Sequence, residues 1–376
     1  MNSVEYLRRF IAFPTVSADP VIRFVDELSE RGEALGGKVL RLQTSPTKQN
    51  LLIQFGEPSL DSICLCGHMD VVPVTGQHWE SDPFVATIQD DRLYGRGSCD
   101  MKGFFAVVYS LLEQLSLQNI KKGITLAFTH DEEIGCVGAH HMVSQLKEAD
   151  IPLPRAMLIG EPTSMNICNY HGGHSTIIIK IRGRAAHSSK PHLGLSANEW
   201  LLQCWHILQG WNQWLQKQVC SVSGGPPIIN IAQINGGEAI NIIPENAEIH
   251  IGIRPMPAHD IHELLSPLYK RLAPLQEKIS EKGGKIWMEE RQHAHPMLTK
   301  LPDSLEQAIR KEHPKSEIIG VPFATDGGTF AKAGCSPIVC GPGSIDLAHQ
   351  PNEFIQLPEL LRYEKILGSL LHKWCF

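Results

Sequence analysis

Five side chains of metal-binding type stand at predicted strand ends or in glycine-rich loops: His68, Asp100, Glu133, Glu161 and His349. Two neutral imidazoles with three carboxylates suit divalent zinc, manganese or cobalt better than a thiolate site does. The three carboxylates carry −3 against +4 for two such ions, and one bridging hydroxide would make the site neutral. The residue types therefore predict two divalent ions held about 3.5–4 Å apart by a shared carboxylate, as in two-metal hydrolases.

Two further carboxylates lie next to these candidate ligands. Asp70 follows His68 by two residues, so on an extended segment both side chains face the same way. We expect the Asp70 carboxylate to hold the second imidazole nitrogen of His68, the usual support of a histidine ligand. Glu132 is adjacent to Glu133 and must project differently, which makes it the candidate general base. A solvated surface pair is the alternative for adjacent glutamates, and the apolar strand directly before them disfavours it.

Apolar runs of strand length precede three of these positions, at residues 62–66, 123–128 and 155–159. Stretches with helical patterning, at 102–117 and 138–148, separate them. Continuous apolar strands that alternate with helices indicate an α/β fold with a sheet covered on both faces. Ligands gather at the carboxyl ends of the strands in such sheets, and the candidate metal ligands follow those ends.

The middle third of the chain has a different pattern. Residues 175–182 alternate like a half-exposed strand. A tryptophan-rich helix, two strand-like runs and a charged helix follow in order, at 197–217, 228–234, 247–254 and 261–281. This β-α-β-β-α order predicts a compact inserted domain over residues 175–288. The earlier alternation then resumes, with a core strand at 337–340, so residues 1–174 and 289–376 are predicted to form one metal-binding domain.

The composition is that of an ordinary globular protein, with 376 residues, 42% apolar and 20% charged. The net charge of −6, without a basic run, argues against a nucleic-acid partner. The longest apolar stretch, residues 104–112, is too short to span a membrane, and the N-terminal residues do not resemble a signal peptide. The ten cysteines include no C-x-x-C pair and fit reduced thiols. These features predict a cytoplasmic enzyme that acts on a small molecule.

Several segments resemble those of the co-catalytic zinc aminoacylase and exopeptidase family. They are residues 67–73 (GHMDVVP), 93–103 (LYGRGSCDMKG), 131–133 (DEE) and 160–163 (GEPT), within a resemblance that extends from 13 to 354. The resemblance implies a three-layer αβα catalytic domain of the zinc-exopeptidase type. It also implies that the inserted domain is a smaller α+β, ferredoxin-like lid through which two copies form a homodimer.

The resemblance also assigns the ligands. It implies that Asp100 bridges two zinc ions, which cobalt or manganese can replace. His68 and Glu161 would complete one ion, and Glu133 and His349 the other. The general-base and supporting roles inferred above from the residues agree with the family pattern.

Three residues of the inserted segment acquire expected roles from the resemblance alone. His187, in residues 183–189 (GRAAHSS), corresponds to a histidine that reaches the partner subunit's active site and stabilises the oxyanion. Arg254 corresponds to an arginine that meets a substrate carboxylate, and Asn241 to a contact with bound substrate. One departure is Gly252, where the family usually has an acidic residue two positions before that arginine.

Within the family, residues 98–106, 131–138 and 340–351 resemble the acetylornithine deacetylases. This implies hydrolysis of N2-acetylornithine to ornithine and acetate, a step of arginine biosynthesis. Asp326 stands where that subfamily usually has glutamate, and we expect it to hold the side-chain ammonium of the substrate. The alternatives are a succinyl-diaminopimelate desuccinylase, a dipeptidase or carboxypeptidase of the same family, or a metal-stabilised binding protein. Retention of Glu132 argues against the last, because a binding protein needs no general base.

Overall fold

The computed structural model describes residues 1–57, 59–300, 302–321 and 323–376. They form two compact units. The first comprises Met1–Tyr170, Met297–Val321 and Thr325–Phe376, and the second comprises His171–Pro296 with Phe323 and Ala324. Among the described helices, none combines the length and apolar character needed to cross a lipid bilayer.

The described residues form sixteen strands and nine α-helices, numbered here in chain order. The strands are β1 (Lys38–Ser45), β2 (Lys48–Phe55), β3 (Ile63–His68), β4 (Thr87–Gln89), β5 (Arg92–Tyr94), β6 (Ile124–Thr129), β7 (Ala156–Pro162), β8 (Ile167–His171), β9 (His174–Arg182), β10 (Ile228–Gly236), β11 (Asn246–Arg254), β12 (Lys285–Ala294), β13 (Met297–Leu298), β14 (Ile318–Val321), β15 (Ser336–Gly341) and β16 (Phe354–Gln356). The helices are α1 (Ser3–Ile11), α2 (Ile22–Ala34), α3 (Lys102–Gln114), α4 (Val137–Glu148), α5 (Ala197–Leu215), α6 (Ile261–Glu281), α7 (Asp303–Glu312), α8 (Gly327–Lys332) and α9 (Leu357–Cys375).

The first unit is built on a sheet with the order β1-β2-β6-β3-β7-β15-β8-β13, to which β14 adds by pairing with β8. The central strands β6, β3, β7 and β15 are parallel, and every residue of β3 and β6 is buried. One face packs against α2 and α3, with α1 and α9 packed on α3, and the other face packs against α4 and α8. A continuous apolar strand suits this position because both of its faces lose contact with water. The three-layer prediction is confirmed.

Close packing of α3 on the sheet depends on one glycine. A Cβ atom at Gly160 of β7 would lie 2.0 Å from Cγ of Phe104. Because any side chain at this position would push α3 away from the strand, the glycine fixes the spacing just before Glu161.

The second unit has an antiparallel sheet of order β10-β11-β9-β12, which α5 and α6 cover. With the chain order β-α-β-β-α-β, this is the ferredoxin-like arrangement that the resemblance implied. Alternate isoleucines of β9 and β11 are buried against the helices, and Trp211 of α5 donates its Nε1–H to the carbonyl of Leu264 in α6 at 2.9 Å. The unit extends past residue 288 because β12 runs to Ala294 along β9.

Candidate active site

The parallel register of β3, β6 and β7 brings predicted ligands to one edge of the central sheet. His68, the last residue of β3, is aligned with Thr129, the last residue of β6. Cys66 pairs with Ile159, so Glu161, two residues further along β7, lies level with His68. The sheet register therefore places a histidine and a glutamate side by side, and the turn after β6 carries Glu132 and Glu133 to the same edge.

Asp100 lies between two groups of ligands and offers one carboxylate oxygen to each. Its Oδ1 is 3.0 Å from Nε2 of His68, which also lies 3.6 Å from Oε1 of Glu161. Its Oδ2 is 3.3 Å from Nε2 of His349, which lies 2.9 Å from Oε2 of Glu133. The five predicted ligands thus come together in the two groups that the resemblance implied. We call His68 and Glu161 the inner group, and Glu133 and His349 the outer group.

The chemistry of this cluster fits divalent cations. Burial and the charge of Asp100 raise the pKa of Glu161 to about 8 and that of Glu133 to about 7. Hydrogen bonds to Asp100 and Glu133 raise the pKa of His349 to about 10. Oε1 of Glu133 is buried and has no hydrogen-bond partner among the described residues. A buried cluster that retains protons and leaves an oxygen unpaired is stabilised by cations, so the residues present fit two divalent metal ions.

The raised pKa values predict a pH-dependent response to metal removal. In metal-free protein, Glu133, Glu161 and His349 bind protons more strongly when folded than when unfolded. Stability therefore falls as the pH rises toward these folded-state pKa values, whereas bound metal replaces the protons. We expect zinc to raise the Tm more at pH 8 than at pH 6. Each kcal/mol added to the free energy of unfolding raises the Tm by about 2–4 °C.

Differential scanning fluorimetry of chelator-treated and zinc-loaded protein measures this difference at each pH. The variant Glu161→Gln, whose amide does not titrate, should show a weaker pH dependence. An equal Tm gain at pH 6 and pH 8 in the unmodified protein would contradict the assignment.

Asp70 supports the site in a different way from the expected one. Nδ1 of His68 lies 2.9 Å from the backbone carbonyl of Asp70, while the carboxylate Oδ1 is 3.6 Å away. The carboxylate instead accepts hydrogen bonds from the backbone N–H groups of Glu132, at 3.0 Å, and Glu133, at 3.3 Å, and from Oγ of Ser17 at 2.8 Å. Through its backbone carbonyl and its carboxylate, Asp70 links the inner histidine to the turn after β6.

Glu132 lies beside the inner group. A carboxylate oxygen of Glu132 lies within 4.8 Å of a carboxylate oxygen of Glu161 and of an imidazole nitrogen of His68, and these two atoms are also within 4.8 Å of each other. Burial raises the pKa of Glu132 well above its usual range, and Sγ of Cys136 donates to its Oε1 at 3.4 Å. A glutamate that binds a proton readily and faces the ligand cluster has the position and the basicity of a general base.

A buried ion pair that the sequence did not reveal fixes the start of this turn. Asp131 has a left-handed backbone, with φ of 53°. Its Oδ1 accepts from Nζ of Lys48 at 2.6 Å and from the backbone N–H of Ala18 at 2.9 Å, and its Oδ2 lies 3.0 Å from Nδ1 of His130. These contacts hold the residue that directly precedes Glu132.

Asp326 is part of the interior of the site. Its side chain is 2% exposed, and Oδ2 accepts a hydrogen bond from Oγ1 of Thr129 at 2.6 Å. It also groups with Glu132 and Cys136, with one atom of each within 4.8 Å of the others. Burial raises the pKa of Asp326. The carboxylate therefore lies next to the candidate base.

The other predicted substrate contacts belong to the second unit, where His187, Asn241 and Arg254 are exposed. An isolated β-bridge between His187 and Ile242 joins the segment of His187 to that of Asn241. Nδ1 of His187 accepts from the backbone N–H of Ser189 at 3.1 Å, which leaves the proton on Nε2. The exposed edge of this imidazole is thus a hydrogen-bond donor, the type that an oxyanion requires.

Comparison with known proteins agrees with this geometry. The model of peptidase family M20/M25/M40 matches residues 64–373. An acetylornithine deacetylase of Edwardsiella ictaluri (strain 93-146) is 31% identical, over 99% of this chain and 97% of that protein.

Two solved structures share the fold across nearly their whole length. The M20 family metallo-carboxypeptidase Sso-CP2 of Sulfolobus solfataricus has a TM-score of 0.78 at 18% identity, covering 100% of this chain and 99% of its own. The Bacillus subtilis YXEP protein, a dinuclear metal-binding peptidase, has a TM-score of 0.67 at 14% identity, covering 98% and 96%. The family model and the full-length relative show that this chain belongs to peptidase family M20/M25/M40 and is a metal-dependent amidohydrolase.

Proposed function

We propose that this protein hydrolyses the N-acyl amide of an amino acid, and that its substrate is N2-acetylornithine, which yields ornithine and acetate for arginine biosynthesis. The observation that carries the proposal is Asp100, with one oxygen on each ligand group and Glu132 beside the inner group. The 31% identical acetylornithine deacetylase supports the choice of substrate.

The proposed cofactors are two zinc ions, for which cobalt or manganese can substitute. Bound at these ligands, they would polarise the amide carbonyl and lower the pKa of a bound water. Glu132 takes the proton of the attacking water and delivers it to the leaving nitrogen. Asp70 holds the backbone of Glu132 through its N–H, so the base keeps its orientation during both transfers.

The second unit supplies the remaining contacts in this proposal. Residues 175–288 act as a lid and dimerisation domain of a cytoplasmic homodimer. His187 donates its Nε2–H to the oxyanion formed in the partner subunit, and its exposed position suits a group that acts on another copy. Arg254 binds the α-carboxylate of the substrate, and Asn241 contacts the substrate as well.

A parallel substrate assay tests the proposed function. Zinc-loaded protein is offered N-acetylornithine, N-succinyl-diaminopimelate, N-acetylmethionine and an unblocked dipeptide, and the released amine is quantified. We expect release chiefly from N-acetylornithine. If the protein prefers the succinyl compound, the neutral acetyl amino acid or the dipeptide, the proposed substrate is wrong and the preferred class takes its place. Release from none of the four would overturn the proposal.

A separate experiment tests the proposed role of the buried Asp326. If it binds the substrate ammonium, Asp326→Asn should raise the KM for N-acetylornithine about tenfold or more, because a charged hydrogen bond is lost. N-acetylmethionine, which lacks the ammonium, should lose much less activity. Steady-state kinetics on both substrates measures the difference. Equal losses would instead assign Asp326 to the support of Glu132, beside which it lies.

A further inference from the structure

Glu353 holds the loop that carries the bridging ligand. This buried glutamate, 1% exposed, lies four residues after His349. Its Oε1 accepts from the backbone N–H groups of Cys99 at 2.8 Å and Asp100 at 3.0 Å, and its Oε2 accepts from that of Gly97 at 3.1 Å. One carboxylate therefore holds three backbone N–H groups of this loop, including that of Asp100 itself.

Arg96 extends this support to the outer histidine. Arg96, 1% exposed, donates from Nη1 to Glu353 at 2.7 Å and from Nη2 to Oε1 of Gln77 at 2.6 Å, with its guanidinium over the ring of Trp79. Nε2 of Gln77 in turn donates to the backbone carbonyl of His349 at 2.9 Å. Gln77, Arg96 and Glu353 thus form one chain of hydrogen bonds between Asp100 and His349, which we call the Gln77 relay.

The two ligand groups differ in how their backbones are supported. The inner group lies on strands: His68 of β3 pairs with Thr129 of β6, and Glu161 of β7 is flanked by Ile159 and Pro162, which both pair with β15. His349 belongs to a loop, has a left-handed backbone with φ of 63°, and has a half-exposed side chain. A non-glycine residue in that conformation brings its Cβ close to the following carbonyl oxygen and needs outside contacts to hold it. The Gln77 relay supplies such a contact at the His349 carbonyl.

We propose that the Gln77 relay positions the outer ligand group and sets its metal affinity selectively, with Gln77 as the positioning residue. The inference rests on the proposed binding of two metal ions, but not on the identity of the substrate. Loss of the Gln77 amide frees the His349 carbonyl, so the outer histidine spends less time aligned with Asp100 and Glu133. The inner group keeps its strand-borne geometry.

Calorimetric titration of the metal-free full-length protein with Co²⁺ tests this directly. The unmodified protein should show two binding events. Gln77→Leu should weaken the second event about 10–100-fold, the usual effect of removing a partner behind a metal ligand, and change the first by less than about twofold. Gln77→Glu can still accept from Arg96 but cannot donate to the His349 carbonyl, so it should weaken the second event as well.

The matched control is Gln43→Leu. Among the contacts described, the side-chain amide of Gln43 donates only to the backbone carbonyl of Ser45, at the exposed end of β1. This variant should bind Co²⁺ like the unmodified protein. Millimolar Co²⁺ should restore amidase activity to Gln77→Leu, because only affinity is affected. Equal weakening of both events, or no weakening, would overturn the role of Gln77 alone. A single event in the unmodified protein would overturn the two-metal site and this inference with it.

Discussion

Replacement of Glu132 by glutamine is expected to lower kcat by about a hundred- to ten-thousand-fold while the protein keeps its metal ions and fold. The amide retains the size of the carboxylate but cannot take a proton from water or deliver one to the leaving amine. Glu132 is not in either ligand group around Asp100, so the metal ligands stay in place. Steady-state kinetics on N-acetylornithine, with metal content determined on the same sample, measures the effect.

The control for this experiment is Glu277→Gln, which removes an exposed carboxylate from α6 and should leave kcat unchanged. A loss of bound metal in Glu132→Gln would show that the residue is a ligand rather than the base. Undiminished kcat would remove Glu132 from the mechanism.

Replacement of Lys48 by methionine is expected to lower the free energy of unfolding by about 3–5 kcal/mol. The variant leaves the Asp131 carboxylate in a buried position without its lysine, and breaking one partner of such a pair is strongly destabilising. Burial acts against ionisation, yet the hydrogen bonds from His130 and Lys48 hold the pKa of Asp131 well below its usual range. This contribution to stability is present above the unfolded pKa of about 3.9 and is lost as the pH falls further.

Urea denaturation at neutral pH measures the effect of Lys48→Met. The double variant with Asp131→Asn should recover part of the loss, because the amide carries no charge and asparagine tolerates the left-handed backbone at this position. An exposed lysine of α6 provides the control, Lys278→Met, which should change stability by less than about 0.5 kcal/mol. A double variant no more stable than Lys48→Met would show that the buried charge is not the cause.

The proximity of His68, Glu133 and Glu161 could be predicted from the sequence because each lies at or shortly after the end of a parallel strand. His68 is the last residue of β3, Glu133 lies in the turn after β6, and parallel pairing aligns the ends of these two strands. The central strands and the insertion were predictable for the same reason, since their apolar patterns are continuous or strictly alternating.

The supporting contacts were not predictable because they join residues that are distant in sequence. Lys48 and Asp131 are 83 positions apart, and Arg96 and Glu353 are 257 apart. Charged residues of this kind have the pattern of a solvated surface until the fold buries them. The full extent of β12 was not predictable for a related reason: charged residues follow Met288, and a register shift after Glu290 interrupts the pairing with β9.

The strand order of the first unit has a consequence for biosynthesis. In the central sheet, β15 lies between β7 and β8. In the chain, β7 and β8 come before the strands and helices of the second unit, whereas β15 comes after them. The ribosome therefore releases a sheet with an open gap. The second unit can already begin to fold, because almost all of it lies within residues 171–296. At about 5–20 residues per second, the wait is on the order of ten seconds. Because His349 and Glu353 also follow β15 in the chain, the candidate ligands of the outer group are completed only after the strands that carry the inner group have been made.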